Sequence, residues 1–231
     1  MTILRVFDFE TTGFEPPAAE VCEVGICDLW LEDRSFADPV SWLCGVKEMP
    51  PEVRAVHHIS KAECDPFDPF NPDRVSIGDP DAFVAHNAKF ELKFYTPPGP
   101  FICTYKCALR AWPDAPSHSN GALRYWLEDQ GKIAPDPSLT QPAHRAAPDA
   151  YVTAHILLAL FDTGLTGKTM VQWTREPPHM PRCTIGEWRG KPWSDVDAGF
   201  LGRMIRNATM EEDLKFNARR EIERRQNGAT A

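Results

Sequence analysis

Short apolar runs separated by polar turns dominate the first hundred residues of the chain. The runs at residues 3–9, 21–31 and 40–44 are rich in β-branched and aromatic side chains, a composition that predicts strands. Acidic turns connect them, so we expect an opening meander of three strands. Residues 82–85 and 101–104 have a similar character and predict two further short strands.

Helical periodicity appears later in the chain. Val152, Ile156 and Leu160 recur at four-residue intervals, which predicts a strong helix that Gly164 and Gly167 end. Shorter helices are expected at residues 87–94, 105–112, 121–128, 198–206 and 211–226. Strands at the start of the chain and interleaved helices afterwards predict an α/β domain.

Proline-rich segments mark a loop and a boundary. In residues 65–72, DPFDPFNP, Asp or Asn precedes each Pro, which disfavours both helix and paired strand. We expect Phe67 and Phe70 to hold this loop on the body of the protein. Residues 177–181, PPHMP, contain three prolines and cannot continue a helix. We therefore expect a main domain at residues 1–165, a linker at 166–180 and a small module at 181–231, with strand-like pieces within residues 182–193.

Composition narrows the class of protein. Of the 231 residues, 42% are hydrophobic and 25% are charged, a balance typical of globular proteins. The longest nearly apolar stretch, residues 151–161, is shorter than the roughly 18 residues that a membrane span needs. Asp8 and Glu10 argue against a signal peptide. The seven cysteines include no C-x-x-C pair, so we expect reduced thiols in a cytoplasmic protein with no membrane partner.

The charge is unevenly distributed along the chain. The net charge is −8, and residues 1–163 hold 24 of the 33 acidic side chains but only 13 of the 25 basic ones. Residues 164–231 hold nine acidic and 12 basic side chains. An acidic body with a mildly basic end argues against broad wrapping of DNA, but it is compatible with a local cation site served by a basic module.

The segment FDFETTG, residues 7–13, places two carboxylates at the end of an apolar strand. Because side chains two positions apart in a strand share a face, Asp8 and Glu10 are expected to lie side by side. Their mutual repulsion favours a bound cation, and carboxylate oxygens suit Mg²⁺ or Mn²⁺. The alternative is a strand that ends in solvent, with Glu10 and Thr11 beginning a turn.

Two further segments combine carboxylates with histidines. HNAKFE places Glu91 just after a strand-to-helix junction, and HRAAPDA places Asp149 in a first helical turn, shortly after His144. Each segment also has a structural explanation by itself: Asn87 as a helix N-cap in the first, and an acid favoured by the helix dipole in the second. All three segments together, in this order, point to one catalytic site.

The three segments match the motifs of the DEDD 3′→5′ exonucleases of the histidine subtype, a family that this chain resembles. VHHIS at residues 56–60 and FICTYKCALRAWPDAPSHSN at residues 101–120 are similar to further segments of an exodeoxyribonuclease branch of that family. TIGEWRGKPWSDVDAGFLGRMIRN at residues 184–207 resembles the module that ends members of the branch. The resemblance implies a ribonuclease H-like α/β fold, a mixed sheet flanked by helices, with a small C-terminal module.

The resemblance also implies an activity and a set of site residues. The expected reaction is hydrolysis of DNA phosphodiesters from single-stranded and also duplex 3′ ends, releasing nucleoside 5′-monophosphates in DNA repair or turnover. Four acids would hold two divalent cations, Mg²⁺ or Mn²⁺, about 3.5–4 Å apart, while His144 takes a proton from the attacking water. The four acids are Asp8, Glu10, Glu91 and Asp149. The residues expected to contact the substrate are Thr11, Thr12, Phe14, His57 and Asn87.

Some details and alternatives stay open at this point. Backbone amides near Thr11 and Thr12 are expected to hold the terminal 3′ hydroxyl, and Phe14 to stack on the last base, although a core position is the alternative for Phe14. The family carries Asp where this chain has Glu91. The first alternative function is a 3′→5′ exoribonuclease, because the motifs serve both substrates. The second is a weakly active relative that binds nucleic-acid ends.

Overall fold

Six strands form one mixed sheet at the centre of the protein. The computed structural model describes residues 1–74 and 77–228. Within them the strands are β1 (Ile3–Thr11), β2 (Val21–Trp30), β3 (Ser35–Phe36), β4 (Val40–Leu43), β5 (Ala82–Ala85) and β6 (Phe101–Cys103). The strand order is β3-β2-β1-β5-β6, and β4 also pairs with β2. Strand β2 is antiparallel to β1 and β4, whereas β5 is parallel to β1 and β6. The predicted meander and the two later strands are confirmed.

Eight α-helices accompany the sheet in residues 1–74 and 77–228. They are α1 (Pro51–His57), α2 (Lys61–Cys64), α3 (Thr104–Ala111), α4 (Asn120–Glu128), α5 (Ala146–Asp162), α6 (Gly167–Arg175), α7 (Ala198–Arg206) and α8 (Glu212–Gly228). Helix α5 is the predicted strong helix, and Gly164 follows it with a φ of 88°. The predictions for α3, α4, α7 and α8 are confirmed to within two residues. Gly167 begins α6 instead of ending α5, and α1 and α2 have no counterpart in the sequence-based prediction.

Alternation along β1 divides its side chains between two hydrophobic cores. Val6 packs with α5 in the core on one face of the sheet, and Phe7 belongs to a second core on the other face. Because residues two positions apart share a face, Asp8 and Glu10 follow Val6 on the face that α5 covers. The central strand therefore carries both carboxylates toward α5.

The predicted helix at residues 87–94 is wrong. Only a 3₁₀ turn at Glu91–Lys93 follows β5. Asn87 has a φ of 55°, a left-handed conformation that an α-helix does not accommodate. Its carbonyl accepts the Phe90 amide at 3.0 Å, which closes a tight turn. This path leaves the Glu91 side chain buried.

The loop at residues 65–72 is held by one of its two phenylalanines. The ring of Phe70 lies 5.4 Å from that of Phe9, between centroids. Phe67 is exposed, so the prediction that it also holds the loop is wrong. The physical reason is that the backbone of Gly45 bridges to this loop, which fixes the chain there without a buried Phe67 side chain.

Residues 167–175, within the segment that we expected to be a linker, form α6 and pack against β6. Met170 is fully buried in the core shared with α5. The Thr174 hydroxyl accepts the Cys103 amide at 2.8 Å. Val171 and Trp173, both half-buried, pack against the same core. The sequence analysis took Gly167 as the end of the preceding helix, but it is the first residue of α6, after Thr166 as N-cap. The division of the chain at residues 165 and 181 stays a prediction.

The C-terminal residues have a small hydrophobic core of their own. It contains Cys183, Trp193, Val196, Leu201, Met204, Leu214 and Ala218. Helices α7 and α8 pack on one another. An ion pair of 3.0 Å between Lys89 and Asp213 joins α8 to the turn after β5. We call residues 181–228 the C-terminal module from here on.

The strand-like pieces predicted at residues 182–193 are wrong. Two 3₁₀ turns, Gly186–Trp188 and Trp193–Asp195, form there instead. A single isolated bridge pairs Arg182 with Pro192. Gly186 and Gly190 both have positive φ, and the proline between Lys191 and Trp193 lacks the amide that a strand ladder needs.

Two features of the described residues bear on the composition. All seven cysteines are buried and free of disulfides. Among the described helices, none combines the length and the apolar character required to cross a membrane.

Candidate active site

The end of β1 positions the first two carboxylates. Asp8 is paired across the sheet with Gly25, and Glu10 with Glu23. The register of β1 and β2 shifts between Glu10 and Thr11, as in a β-bulge. Such bulges re-aim side chains and end a ladder. Both carboxylates are therefore held by sheet pairing, at the point where the strand leaves its partner.

Close approach of α5 to β2 positions the third carboxylate. A Cβ atom built on Gly25 would lie only 2.1 Å from the backbone carbon of Ala146, so a side chain larger than hydrogen does not fit there. Asp149 lies in the first turn of α5. Carboxylate oxygens of Asp8, Glu10 and Asp149 all lie within 4.8 Å of one another. The structure thus brings together three of the four predicted acids.

Burial and mutual repulsion raise the pKa values of these acids. The pKa of Asp8 is well above its usual value, first because of burial and then because of Asp149 and Glu10. Burial, together with the charge of Asp149, raises the pKa of Glu10 to about 8. Burial raises the pKa of Asp149 to about 6, although the nearby His144 opposes this change. Crowded carboxylates of this kind favour a positive charge among them.

Glu91 stands apart from this group of three. Its side chain is 4% exposed, and its Oε2 atom has no hydrogen-bond partner among the described residues. Burial is the main cause that raises its pKa to about 8, and Glu10 adds to it. Glu91 in turn raises the pKa of Asp8, so the two are electrostatically linked. It belongs to no group of three potential ligands at the 4.8 Å spacing within the described residues.

His144 lies beside Asp149, as the motif predicts. The residue is exposed and has a φ of 58°. Its backbone amide donates a hydrogen bond to the Asp149 carboxylate, and both this bond and its charge lower the pKa of Asp149. The left-handed backbone turns the chain into the first residues of α5. An exposed imidazole next to a carboxylate cluster is well placed to exchange protons with water.

A buried ion pair that the sequence analysis missed holds the start of α5. Glu23 is 1% exposed, and its carboxylate accepts bonds from Arg145 at 2.8 and 2.9 Å and from the Ala146 amide at 3.0 Å. Ser41 donates a further bond of 2.8 Å. Burial by itself would raise the pKa of Glu23, but these bonds outweigh it and the pKa is lowered. The sequence signal was a single acidic residue within the apolar strand VCEVGIC.

The turn after β1 is stabilised by its two threonines. The Thr11 hydroxyl donates to the Gly13 carbonyl at 2.7 Å, and the Thr12 hydroxyl accepts the Glu20 amide at 2.9 Å. The Thr12 amide donates to the Glu20 carbonyl at 2.9 Å. It is therefore already engaged, and the expectation that it holds a 3′ hydroxyl is wrong for this amide.

Phe14 lies at the surface next to the second motif. Its side chain is 75% exposed, which excludes the alternative of a core position. The Lys93 ammonium donates to the Phe14 carbonyl at 3.1 Å and pairs with Glu15 at 2.6 Å. These contacts tie the Phe14 backbone to the turn that carries Glu91. The ring is thus free to meet a ligand.

His57 and Asn87 have opposite environments. His57 is 2% exposed; its Nδ1 accepts the Ile59 amide at 3.0 Å, and its Nε2 lies 3.9 Å from the Cys22 sulfur. These contacts hold the His57 ring inside the protein. Asn87 is exposed, and its side-chain amide has no protein partner in the described part of the chain. It is available for a substrate contact.

The residues present fit divalent cations. Two observations support this fit. The Oε2 atom of Glu91 is buried without a hydrogen-bond partner among the described residues, and one carboxylate oxygen from each of Asp8, Glu10 and Asp149 lies within 4.8 Å of the other two. An uncompensated group of this kind is costly inside a protein. All the donors are carboxylate oxygens, the ligands that Mg²⁺ and Mn²⁺ prefer.

Known proteins resemble this chain in sequence and in structure. The family model described as Exonuclease matches residues 6–157. Exodeoxyribonuclease 10 of Escherichia coli strain K12 is 31% identical to this chain, over 96% of this chain and 99% of that protein. The solved structure of exonuclease X in complex with 5′ overhanging duplex DNA has a TM-score of 0.61 and 31% identity, and covers 74% of this chain and 99% of that chain.

A more distant solved structure supports the fold alone. The zinc-bound E. coli ExoI–ssDNA complex has a TM-score of 0.55 and 15% identity, and covers 90% of this chain and 60% of that chain. The ribonuclease H-like fold and the resemblance to exonucleases are confirmed by these matches. The chain belongs to the exonuclease family and is a hydrolase of the exonuclease fold.

Proposed function

We propose that the protein is a divalent-metal-dependent 3′→5′ exodeoxyribonuclease that releases nucleoside 5′-monophosphates. The observation that carries the proposal is the group of Asp8, Glu10 and Asp149 within 4.8 Å of one another, in a chain of the exonuclease family. An exposed histidine beside Asp149 completes the set of groups that phosphodiester hydrolysis needs.

Each acid has a distinct place in this proposal. Asp8, Glu10 and Asp149 hold the cations directly, and Glu91 approaches from the turn after β5 with one unpartnered oxygen. Two bound cations would supply activation of water and neutralisation of charge on the phosphate. The raised pKa values of the acids fall when positive charge enters the site, so the carboxylates are ionised in the loaded enzyme.

His144 acts as the general base in this proposal. Its imidazole is exposed and is carried by a backbone that the Arg145–Glu23 pair and the start of α5 hold in place. The neutral ring accepts the proton of the attacking water and passes it to solvent. Rigid neighbours of this kind keep a catalytic group near its reacting geometry.

The substrate end is held by residues around the turn after β1. Phe14 offers an exposed ring on which the terminal base stacks, a contact that tolerates any base sequence. Asn87, in the second motif, offers an exposed side-chain amide. Thr11 and Thr12 act by shaping the turn, because their hydroxyls bond within the protein.

DNA is the proposed substrate because of the similar proteins. The 31% identical relative is named an exodeoxyribonuclease, and the solved structures with which the fold agrees hold duplex DNA with a 5′ overhang and single-stranded DNA. We propose that this protein acts on both single-stranded and duplex DNA ends. A place in DNA repair or turnover, and a cytoplasmic location supported by the seven free thiols, are parts of the same proposal.

One assay tests the proposal against its alternatives. Labelled single-stranded DNA, duplex DNA and RNA are each incubated with Mg²⁺, Mn²⁺ or EDTA, and the products are identified by mass. We expect 5′-mononucleotides from DNA in either metal and none in EDTA. Faster release from RNA would favour the exoribonuclease. Binding without release would favour a nucleic-acid-end-binding relative and overturn the proposal.

A further inference from the structure

A cleft between the exonuclease body and the C-terminal module adjoins the catalytic site. It has a volume of about 530 Å³, within the range of ligand pockets. His86, Asn87 and residues 117–120 form one wall, and Met180, Arg182 and Thr184 of the chain before and within the module form the other. We call this space the module cleft.

The body wall of the module cleft is connected to a catalytic acid. The Asn120 Nδ2 atom donates to the backbone carbonyl of Asp149 at 3.0 Å and to the Thr153 hydroxyl at 3.1 Å. The Asn120 Oδ1 atom is buried and has no partner among the described residues. Asn87, from the second motif, lines the same wall with its free amide. The cleft therefore adjoins the second motif and, through Asn120, the start of the helix that carries Asp149.

The charge of the module cleft differs from that of the rest of the molecule. No residue that lines it is an Asp or Glu, although the chain has a net charge of −8. Four other cavities in the described residues, of about 330 to 690 Å³, each include at least one Asp or Glu. The imidazoles of His86 and His118 in this lining are bonded within the protein. The lining instead offers the side-chain amide of Asn87 and the hydroxyls of Ser119 and Thr184, which can donate hydrogen bonds to an anion.

Arg182 supplies the one formal positive charge of the lining. It is exposed, and its Nη1 atom donates to the Gly190 carbonyl at 3.2 Å. In residues 1–74 and 77–228 its guanidinium has no carboxylate partner, unlike Arg224 and Arg225 of the same module, which both pair with Glu221. A guanidinium left without a counter-charge at a cleft is suited to bidentate binding of phosphate.

We propose that the module cleft binds a phosphodiester group of the DNA strand whose 3′ end occupies the active site, with Arg182 as the counter-charge. Ser119 and Asn87 provide neutral hydrogen bonds to the same backbone. This inference rests on the proposed function for the identity of the ligand. It assigns the C-terminal module a role in substrate affinity that is separate from the chemical step.

The test compares Arg182→Ala with the parent in binding and in turnover. For a fluorescent single-stranded oligonucleotide of about 15 nucleotides in EDTA, the Kd should rise roughly tenfold, the usual loss for a bond to a charged group. The dependence of log Kd on log salt should become shallower by about 0.7, the value for one phosphate contact on single-stranded DNA. With metal, KM should rise by a similar factor while kcat stays unchanged. Hydrolysis of thymidine 5′-monophosphate p-nitrophenyl ester, which has a single phosphodiester, should not change.

Two control variants separate a specific site from loss of charge. Arg206→Ala removes an exposed arginine of α7 in the same module that does not line the cleft, and it should leave Kd and the salt slope near the parent values. Arg182→Lys keeps the charge and should restore the slope. Equal effects of Arg182→Ala and Arg206→Ala, or no effect of either, would overturn the inference.

The Kd measured in EDTA distinguishes this inference from the proposed function, because it does not depend on cleavage. A parent protein that binds the oligonucleotide through Arg182 but releases no nucleotide would overturn the exonuclease proposal and support the cleft. If the parent cleaves DNA and Arg182→Ala changes neither KM nor the salt slope, the exonuclease proposal is supported and the inference about the cleft is overturned. The Tm of each variant should be measured to show that it is folded.

Discussion

Asp8 lies where repulsion between carboxylates is concentrated. Its pKa and those of Glu10 and Glu91 are raised in the folded protein, the latter two to about 8. The corresponding values in an unfolded chain are 3.8 for Asp and 4.5 for Glu. Between about pH 4 and pH 8 the folded protein thus binds more protons at these acids than the unfolded chain does. The contribution of these three acids to the stability of the metal-free protein is therefore fully present below about pH 4 and decreases as the pH rises to about 8.

Asp8→Asn removes one of these repelling charges. Without metal, the Tm of the variant at pH 8 should equal or exceed that of the parent, and the two should converge near pH 4, measured by thermal unfolding in EDTA. Cleavage should be abolished in Mg²⁺, because the side chain no longer offers a charged ligand. Near-normal turnover of Asp8→Asn in Mg²⁺ would contradict the assignment of the metal site.

His144→Ala tests the general base. The rate should fall by a factor of roughly 10²–10⁴, the usual contribution of positioned proton transfer, while binding of DNA ends and metal remains. The rate of the parent should depend on pH, and the variant should lose the part of this dependence that comes from proton transfer to the histidine. A pH–rate profile that is the same in both proteins would exclude His144 from the role.

Glu91 stands where the resemblance described in the sequence analysis implies an Asp. Glu91 lies outside the group of three acids, with an unpartnered oxygen, and this favours loose binding of one cation. Mg²⁺ tolerates imperfect geometry poorly, so activity should be higher in Mn²⁺. Glu91→Asp should narrow the difference. The measurement is the ratio of rates in Mn²⁺ and Mg²⁺ for both proteins. A ratio near one in the parent would instead indicate that the backbone at Glu91 is displaced enough to compensate for the longer side chain.

At the scale of elements, the catalytic geometry depends on how α5 meets β2. The Glu23–Arg145 pair fixes the first residue of the helix, and Gly25 allows its backbone to approach the strand. Neither contact touches the reacting atoms. Both set the distance from Asp149 to the carboxylates of β1, and a displacement of about 1 Å in such a site can reduce the rate roughly 100-fold.

Gly25→Ala tests this packing. The added Cβ would meet the Ala146 backbone at 2.1 Å, which forces α5 away, so both Tm and kcat should decrease. Gly121→Ala is the matched control: nothing lies within 4 Å of its Cβ, and the residue is in α4. The control should retain activity and gain up to about 1 kcal/mol of stability. Full activity of Gly25→Ala would show that the approach of α5 does not position Asp149.

At the scale of the whole molecule, the C-terminal module stands beside an acidic catalytic body. Trp188, Trp193 and Phe200 pack mainly within the hydrophobic cluster of the module itself. This packing agrees with a separately built unit that forms one wall of the module cleft. Helix α6 belongs to the body, because its Met170 is buried in the main core.

Truncation after Glu176 tests the contribution of the module. Hydrolysis of a substrate of two or three nucleotides should remain nearly intact, because the acids and His144 all lie in the body. Action on long DNA should weaken, since the module wall of the cleft is lost. The measurement is the ratio of the two rates in the truncated and full chains. Insoluble truncated protein, or equal activity on both substrates, would favour a purely stabilising module.

Much of the fold was predictable because its signals are local. The strands of the meander and the helix α5 follow from runs and periods of a few residues, and alternation alone placed Asp8 and Glu10 on one face. The turn at Asn87 was not predictable, because a helical pattern in HNAKFE was overridden by a single left-handed residue. Helix α6 was missed because Gly167, a residue type that usually ends helices, is its first residue.

The sequence by itself determined which residue types form the candidate site, their order along the chain, and the face of β1 on which Asp8 and Glu10 lie, since these depend on neighbours along the chain. Only the tertiary structure decided how far apart the acids are, and that Glu91 is set apart from the other three. It also revealed the Glu23–Arg145 pair, whose members are 122 residues apart, and the cleft between body and module. Such contacts result from the packing of elements remote in sequence, and local periodicity carries no information about their distance.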